Sequence, residues 1–204
     1  FGTVGKVLPN LEVKIAEDGE ILCKGPSVMK GYYKRDDATA EAIIDGWFHT
    51  GDIGELKNGF LAITDRKKEV FKTAGGKYIA PQVLENKLKE SVYIEQVMVV
   101  GENRKFPSAL IVPNFEKLLE WTQKNNVNET KAADLIKNKA VCDKIWLEIE
   151  KLNEGFGNWE KIKKFALLPA EFTIDGGEMT PKLSLKRKVI LTKNKRKKNL
   201  ITYS

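Results

Sequence analysis

Three stretches of the 204-residue sequence carry side chains suited to chemistry. The first is His49-Thr50-Gly51-Asp52. A carboxylate just after a glycine-containing turn is sterically accessible. Its oxygens can accept hydrogen bonds from a diol, such as the 2′- and 3′-hydroxyls of a ribose. An aspartate in a turn also commonly caps the turn itself. The second stretch is DRKKEVFKTAGGKYIAP, residues 65–81. Arg66, Lys67, Lys68 and Lys72 gather four cations within seven residues, ahead of Gly75 and Gly76. Those glycines let the backbone approach a ligand or turn through positive φ. Cations beside a glycine-rich loop suit phosphate groups, and a solvated basic loop has the same composition. The spacing is not GxxxxGK[ST], which occurs nowhere in the chain. The third stretch is GEMTPKLSLKRKVI, residues 177–190, where a Gly-Gly turn and a proline precede a lysine cluster. A lysine on such a loop can stabilise a developing carboxylate or phosphate charge; a solvated face is the plainer reading of the same string.

The elements that must position these residues follow from pattern. Residues 11–15 (LEVKI) and 20–24 (EILCK) alternate about Glu17-Asp18-Gly19, which predicts a β-hairpin. A short helix is expected from Asp36 (DDATAEAI). Residues 52–56 and 60–64 flank Lys57-Asn58-Gly59, a strong hairpin signal. The first 64 residues therefore read as a small antiparallel β unit. Trp47 and Phe48 are expected in its core. Pro81 is placed to open a helix, PQVLENKLKES, with Val83, Leu84 and Leu88 on one face. Strands are expected at 94–101 and 108–112. Helices are expected at 114–126 and 129–153, the second with a stripe of Ala133, Ile136, Ala140, Ile145 and Ile149. Trp159, Ile162 and Phe165 continue an apolar face, and 183–192 suits a last short helix. The fold class is α+β: a β subdomain over 1–66, then an α+β domain over 67–204 with a helical insertion, the boundary lying around 65–68.

Composition narrows the function classes. Hydrophobic residues make up 42% and charged residues 31%, as in ordinary globular proteins. No apolar run approaches the length of a membrane span. Cys23 and Cys142 lack metal or CxxC spacing and read as free thiols in a reducing compartment. With one histidine, a His-based zinc site is excluded, and no metal ligand set is expected. The net charge of +7 belongs to the tail. Nine basic residues lie between Lys182 and Lys198, no acid follows Glu178, and the other 26 basic residues face 28 acidic ones. Such a tail can meet phosphates, an anionic membrane or nucleic acid; otherwise it is a solvated, frayed terminal helix. Its only aromatic is Tyr203, which argues against a base-stacking surface and hence against specific nucleic-acid binding.

Order and spacing together say more. GEILCKGPSVMKGYYKRDDATAEAI (19–43), then GWFHTGDIGELKNGFLAITDRKKEVFKTAGGKYIAPQVLE (46–85), then the late lysine loop closely resemble the adenylate-forming superfamily. That group comprises acyl-CoA synthetases, peptide-synthetase adenylation domains and luciferases. The long, mostly helical stretch from Asn114 and the TPKLSLKRKVI ending look most like long-chain fatty acyl-CoA synthetases.

The resemblance implies a large N-terminal domain upstream of Phe1 and a mobile C-terminal lid. It implies ATP (and AMP), coenzyme A and a fatty acid as substrates, with Mg2+ held mainly by the upstream domain. By the family pattern, Asp52 holds the ribose hydroxyls and Arg66 contacts ribose or phosphate. Lys68 is the hinge, and Gly75 lies on the loop that reaches the thioester-forming site, with Lys72 beside it on the nucleotide. Gly31 and Tyr32 give structural support, and His49 packs rather than acting as a base. The family's PKTxSGK lysine falls on Lys186 if one residue is deleted. Many long-chain members carry a lysine three residues after the proline, where this chain has Ser184, so Lys182 and Lys188 stay open. The resemblance further implies a cytoplasmic enzyme, inactive without its upstream domain, and the basic tail suits secondary, peripheral contact at the inner membrane face. Medium-chain, aryl or carrier-loading ligases are the nearest alternatives, and a basic binding module the more distant one.

Overall fold

The structure, a computed structural model, describes residues 2–125 and 127–202. It divides into two compact units, Phe1–Val70 and Phe71–Ser204. In the first unit the order is β1 (Gly5–Lys6), β2 (Glu12–Ile15), β3 (Glu20–Lys24), α1 (Asp36–Ala42), β4 (Ile43–Ile44), β5 (Trp47–Lys57) and β6 (Phe60–Arg66). These strands form one antiparallel sheet in the order β1-β6-β5-β3-β2, with β4 also paired to β5. Both expected hairpins are present. Asn58 and Gly59 take φ of 51° and 78°, the pair of positive values that a two-residue turn matched to strand twist requires.

Trp47 and Phe48 are only half-buried, which corrects their expected place in a core. Among the described residues of this unit, Ile21 and Leu22 are the buried hydrophobic residues. Trp47 instead lies under two ammonium groups, Lys14 Nζ at 4.0 Å and Lys24 Nζ at 5.9 Å from its ring centroid.

The second unit holds β7 (Phe71–Lys72), β8 (Tyr78–Ile79), α2 (Pro81–Leu88), β9 (Ile94–Val100), β10 (Ser108–Pro113), α3 (Phe115–Lys124), α4 (Ala132–Leu135), α5 (Lys139–Leu152), β11 (Lys164–Leu167), α6 (Arg187–Lys193) and α7 (Lys195–Thr202). β7 and β8 form a small hairpin. β9 and β10 are antiparallel, and β11 joins β10 in parallel. A parallel pair needs a long crossover, and the helices from Phe115 to Leu152 supply it.

The runs IEQVMVV and SALIVP are buried on both faces of this sheet. Val97, Val99, Ala109 and Ile111 pack with Leu84, Leu88, Leu118, Ile145 and Ile149. Their neighbours Met98, Val100, Leu110 and Val112 pack on the other side with Leu168, Phe172, Ile190 and Ile201. The alternation that normally marks a strand is lost because neither face meets water.

Several expectations are corrected. The helix expected over 129–153 is two, because Asn138 breaks it and caps the second: its side chain accepts hydrogen bonds from the N–H groups of Ala140 and Val141 at 2.8 and 3.2 Å. That break re-phases the stripe, so Leu135, Val141, Ile145 and Ile149 are buried while Ala133 and Ala140 are exposed. Trp159 is half exposed rather than continuing an apolar face, whereas Ile162 is buried and Phe165 stacks on Trp146 within a strand. The last short helix starts at Arg187, because Leu183 takes a φ of 60° in a turn. The tail is docked rather than frayed: Ile201 is buried and its carbonyl accepts the Ser108 hydroxyl at 3.0 Å. The end of the expected 114–126 helix, at Asn126, and the tail aromatic Tyr203 lie outside the described residues.

Candidate functional site

In the first unit, the β5–β6 pairing places Asp52 directly opposite Arg66. Arg66 Nε lies 2.8 Å from Asp52 Oδ1. The approach is an ion pair without hydrogen-bond alignment, so among the described residues no donor is bonded to that buried oxygen. The Asp52 N–H donates to Thr50 Oγ1 at 3.1 Å, and the Thr50 hydroxyl donates to the Ile21 carbonyl at 2.7 Å. The turn expected at 49–52 is instead part of the continuous strand β5, where Gly51 takes a φ of 73°, and this stretch is tied to β3. A carboxylate held this way keeps lone pairs for incoming hydroxyl donors.

This stretch of β5 rests on Glu20, a residue whose sequence context marks it only as part of a strand. Glu20 is almost fully buried. It accepts hydrogen bonds from the Gly51 N–H at 2.9 Å and from Lys67 Nζ at 2.8 Å, and lies 2.9 Å from His49 Nδ1. Lys67 also pairs with Asp18 at 2.7 Å. Burial pushes the Glu20 carboxyl up, but the bonds from Lys67, His49 and Gly51 together outweigh it and hold the group below its ordinary range. The hydrogen bond from Lys67, aided by the Glu20 N–H, lowers Asp18, and those to Asp18 and Glu20 raise Lys67. Glu20 was missed because its strand gives no local sign of a buried charge. Its partners are 29, 31 and 47 residues away.

A cavity of about 450 Å³ opens beside this network, lined by Glu20, His49, Gly51, Arg66, Lys67 and Lys68 among others. Gly31, expected to give structural support, packs closely on α1: a Cβ there would meet Thr39 at 2.8 Å. Tyr32 lines the cavity and is itself about half exposed.

In the second unit, the β7–β8 hairpin carries the glycine-rich loop. Thr73 and Lys77 close it through the Thr73 N–H to the Lys77 carbonyl at 2.9 Å. Gly76 has a φ of 80°, which favours glycine, but Gly75 does not; a Cβ on Gly75 would meet nothing nearer than Thr73 Oγ1 at 4.0 Å. The local fold therefore does not require glycine at 75. Lys72 Nζ sits 5.4 Å from the centroid of the exposed Tyr78 ring.

The lysine loop is also in this unit. The Lys186 N–H donates to the Glu178 carbonyl at 2.7 Å, and Met179 pairs with Leu185. Lys186 is the residue before α6. Lys182, Lys186 and Lys188 are all exposed. The next residue, Arg187, makes a two-pronged ion pair with buried Glu85, a contact that sequence spacing does not announce.

Comparison with known proteins agrees with this arrangement. The family model for the AMP-binding enzyme C-terminal domain matches residues 69–197. The chain is 43% identical over 195 residues to the long-chain-fatty-acid–CoA ligase FadD15 of Mycobacterium tuberculosis, covering 95% of this chain and 32% of that protein. It is 40% identical over 202 residues to human long-chain-fatty-acid–CoA ligase 1, covering 91% of this chain and 29% of the relative. The chain thus spans about a third of the length of the curated relatives it matches. Among solved structures, the A domain of a carboxylic acid reductase from Segniliparus rugosus, in complex with AMP and a co-purified carboxylic acid, superposes with a TM-score of 0.72 at 25% identity, covering 89% of this chain and 27% of that one. The α+β fold, the ordered motifs and a match over most of the length place the chain in the family of AMP-binding enzyme C-terminal domains.

Proposed function

We propose that this chain is the C-terminal part of an AMP-forming long-chain fatty acid–CoA ligase. The observation that carries this reading is the 43% identity to a long-chain-fatty-acid–CoA ligase over 95% of the chain. The intact enzyme joins a fatty acid carboxylate to the α-phosphate of ATP and releases pyrophosphate. The thiol of coenzyme A then attacks the acyl carbon and releases AMP. Residues 1–66 close the large adenylation domain and 67–204 form the lid, hinged at Lys68. The domain that completes the site lies N-terminal to this chain.

Asp52 accepts the ribose hydroxyls, using lone pairs that its unaligned contact with Arg66 leaves available. Arg66 contacts ribose or phosphate, and Lys72 adds positive charge toward the nucleotide. Lys186 orients carboxylate and phosphate in the first half-reaction, its exposed side chain extending from a fixed backbone. Gly75 borders the thioester-forming site, where its missing side chain leaves room for the thiol. Mg2+ accompanies ATP. In this reading the ion is held mainly by the N-terminal domain.

We place the enzyme in the cytoplasm. The exposed Lys195 and Arg196 of α7 suit transient contact with an anionic membrane face. Among the described residues no helix is long and apolar enough to cross a membrane.

Incubation of the intact protein with ATP, Mg2+, coenzyme A and fatty acids of graded length tests the reading. AMP and acyl-CoA should form in equal amounts, with long chains favoured. ADP in place of AMP would overturn the ligase reading. Preference for short or aromatic acids would move it to another ligase of the superfamily.

A further inference from the structure

The Glu85–Arg187 pair joins residues 102 positions apart. The Glu85 side chain is 2% exposed and that of Arg187 19%. Arg187 Nη1 donates to Glu85 Oε1 at 2.7 Å and Nη2 to Oε2 at 2.9 Å, a planar fork on a planar carboxylate. Both residues also bind the backbone of β9. The Val99 N–H donates to Glu85 Oε1 at 2.7 Å, and Arg187 Nη1 reaches the Val99 carbonyl at 3.3 Å. Such a pair is a poor device for stability alone. Desolvation cancels much of its attraction, and apolar residues of the same volume often hold a fold as well. Its distinctive property is orientation, since the fork fixes the angle and register of the chain that carries it.

That chain carries Lys186. The Lys186 backbone is held on its N-terminal side by its N–H bond to the Glu178 carbonyl, and its own carbonyl accepts from Val189 and Ile190 at 2.9 and 3.2 Å. The Glu178 carboxylate is in turn pinned by Lys193 Nζ at 2.6 Å. Among the described residues Lys186 has no ion pair, so its ammonium is free while its backbone is not. At the other end of the brace, α2 begins at Pro81, directly after the hairpin that carries Gly75.

We infer that Glu85 and Arg187 are positioning residues: a buried clamp that sets Lys186 in its working register and ties the lysine loop to the helix behind the glycine-rich loop. The inference rests on the ligase reading above and on the role given there to Lys186. The lid elements serving the two half-reactions are then carried on one rigid brace.

The test is fatty-acid-dependent ATP–pyrophosphate exchange by the intact enzyme. Arg187→Lys keeps the charge and loses the fork. It should lower the kcat of exchange tenfold or more with the KM for ATP within about twofold of the parent. In a Lys186→Ala background the same change should alter exchange less than about twofold, because the residue it positions is gone. Glu85→Gln, close to isosteric, should behave in the same way and serves if Arg187→Lys fails to fold. Losses of equal size in both backgrounds would overturn the clamp, as would a lowered melting point with kcat unchanged well below it. Absence of exchange in the parent would overturn the ligase reading, and the clamp with it.

Discussion

Glu20 receives bonds from Gly51 and Lys67 and contacts His49, so the stretch of β5 that presents Asp52 depends on a side chain outside its own motif. The Glu20 carboxyl is held below its ordinary value of 4.5. A depressed carboxylate contributes stability that is present above the unfolded value and lost as the pH falls through the folded one. Stability of the first unit should therefore fall as the pH drops below about 4.5, and Glu20→Gln should flatten that slope while costing about 1–3 kcal/mol at neutral pH. Thermal melts across pH check both; equal slopes for parent and variant would contradict the network. Asp52→Ala in the intact enzyme should raise the KM for ATP at least tenfold, read by steady-state kinetics. Gly75→Ala should leave the melting point almost unchanged, since the fold leaves room for a Cβ. It should slow acyl transfer to coenzyme A, with its release of AMP, far more than pyrophosphate exchange, a split that half-reaction assays resolve. At this scale Asp52, Arg66 and the glycine pair stand out in sequence by type and spacing. Glu20 and Glu85 do not, because a carboxylate in a strand or helix looks the same whether it meets water or a partner far along the chain.

At the scale of elements, the hairpins were the most legible. Asn58-Gly59 dictates its turn, and Glu17-Asp18-Gly19 separates two alternating runs that pair as expected. The helices were read well where a cap or proline marks an end, as at Asn114 and Pro81. The 129–153 expectation failed because apolar periodicity alone passes through Asn138, whose side chain is the stop signal. Asn138→Ala should cost about 1 kcal/mol, measurable by urea denaturation, and Ile145→Ala about 2–5 kcal/mol from its fully buried site. β11 escaped notice for a different reason. It is a four-residue edge strand whose parallel pairing with β10 is decided by the crossover, not by its own alternation. The exposed side of Trp47 reflects a similar limit: aromatic character predicts burial, but only the topology shows which face of the sheet another layer covers.

Across the whole molecule, charge and organisation belong together. The nine basic residues from Lys182 to Lys198 divide between structural and free roles. Arg187 is in a buried clamp and Lys193 in an ion pair. Lys197 is pushed below its ordinary value, mainly by burial, as it donates to the Leu167 carbonyl. Lys188, Lys195 and Arg196 remain exposed. Among the described residues, the basic tail is thus chiefly the docked end of the second unit. The chain's family was legible in its ordered motifs, and the function proposed for the intact protein follows from them. Fatty-acid-dependent exchange of labelled pyrophosphate into ATP by the intact protein, with and without Lys186→Ala, tests this most directly. Exchange should require a long-chain fatty acid and not coenzyme A, and should collapse in the variant. Exchange independent of the acid, or untouched by loss of Lys186, would contradict it.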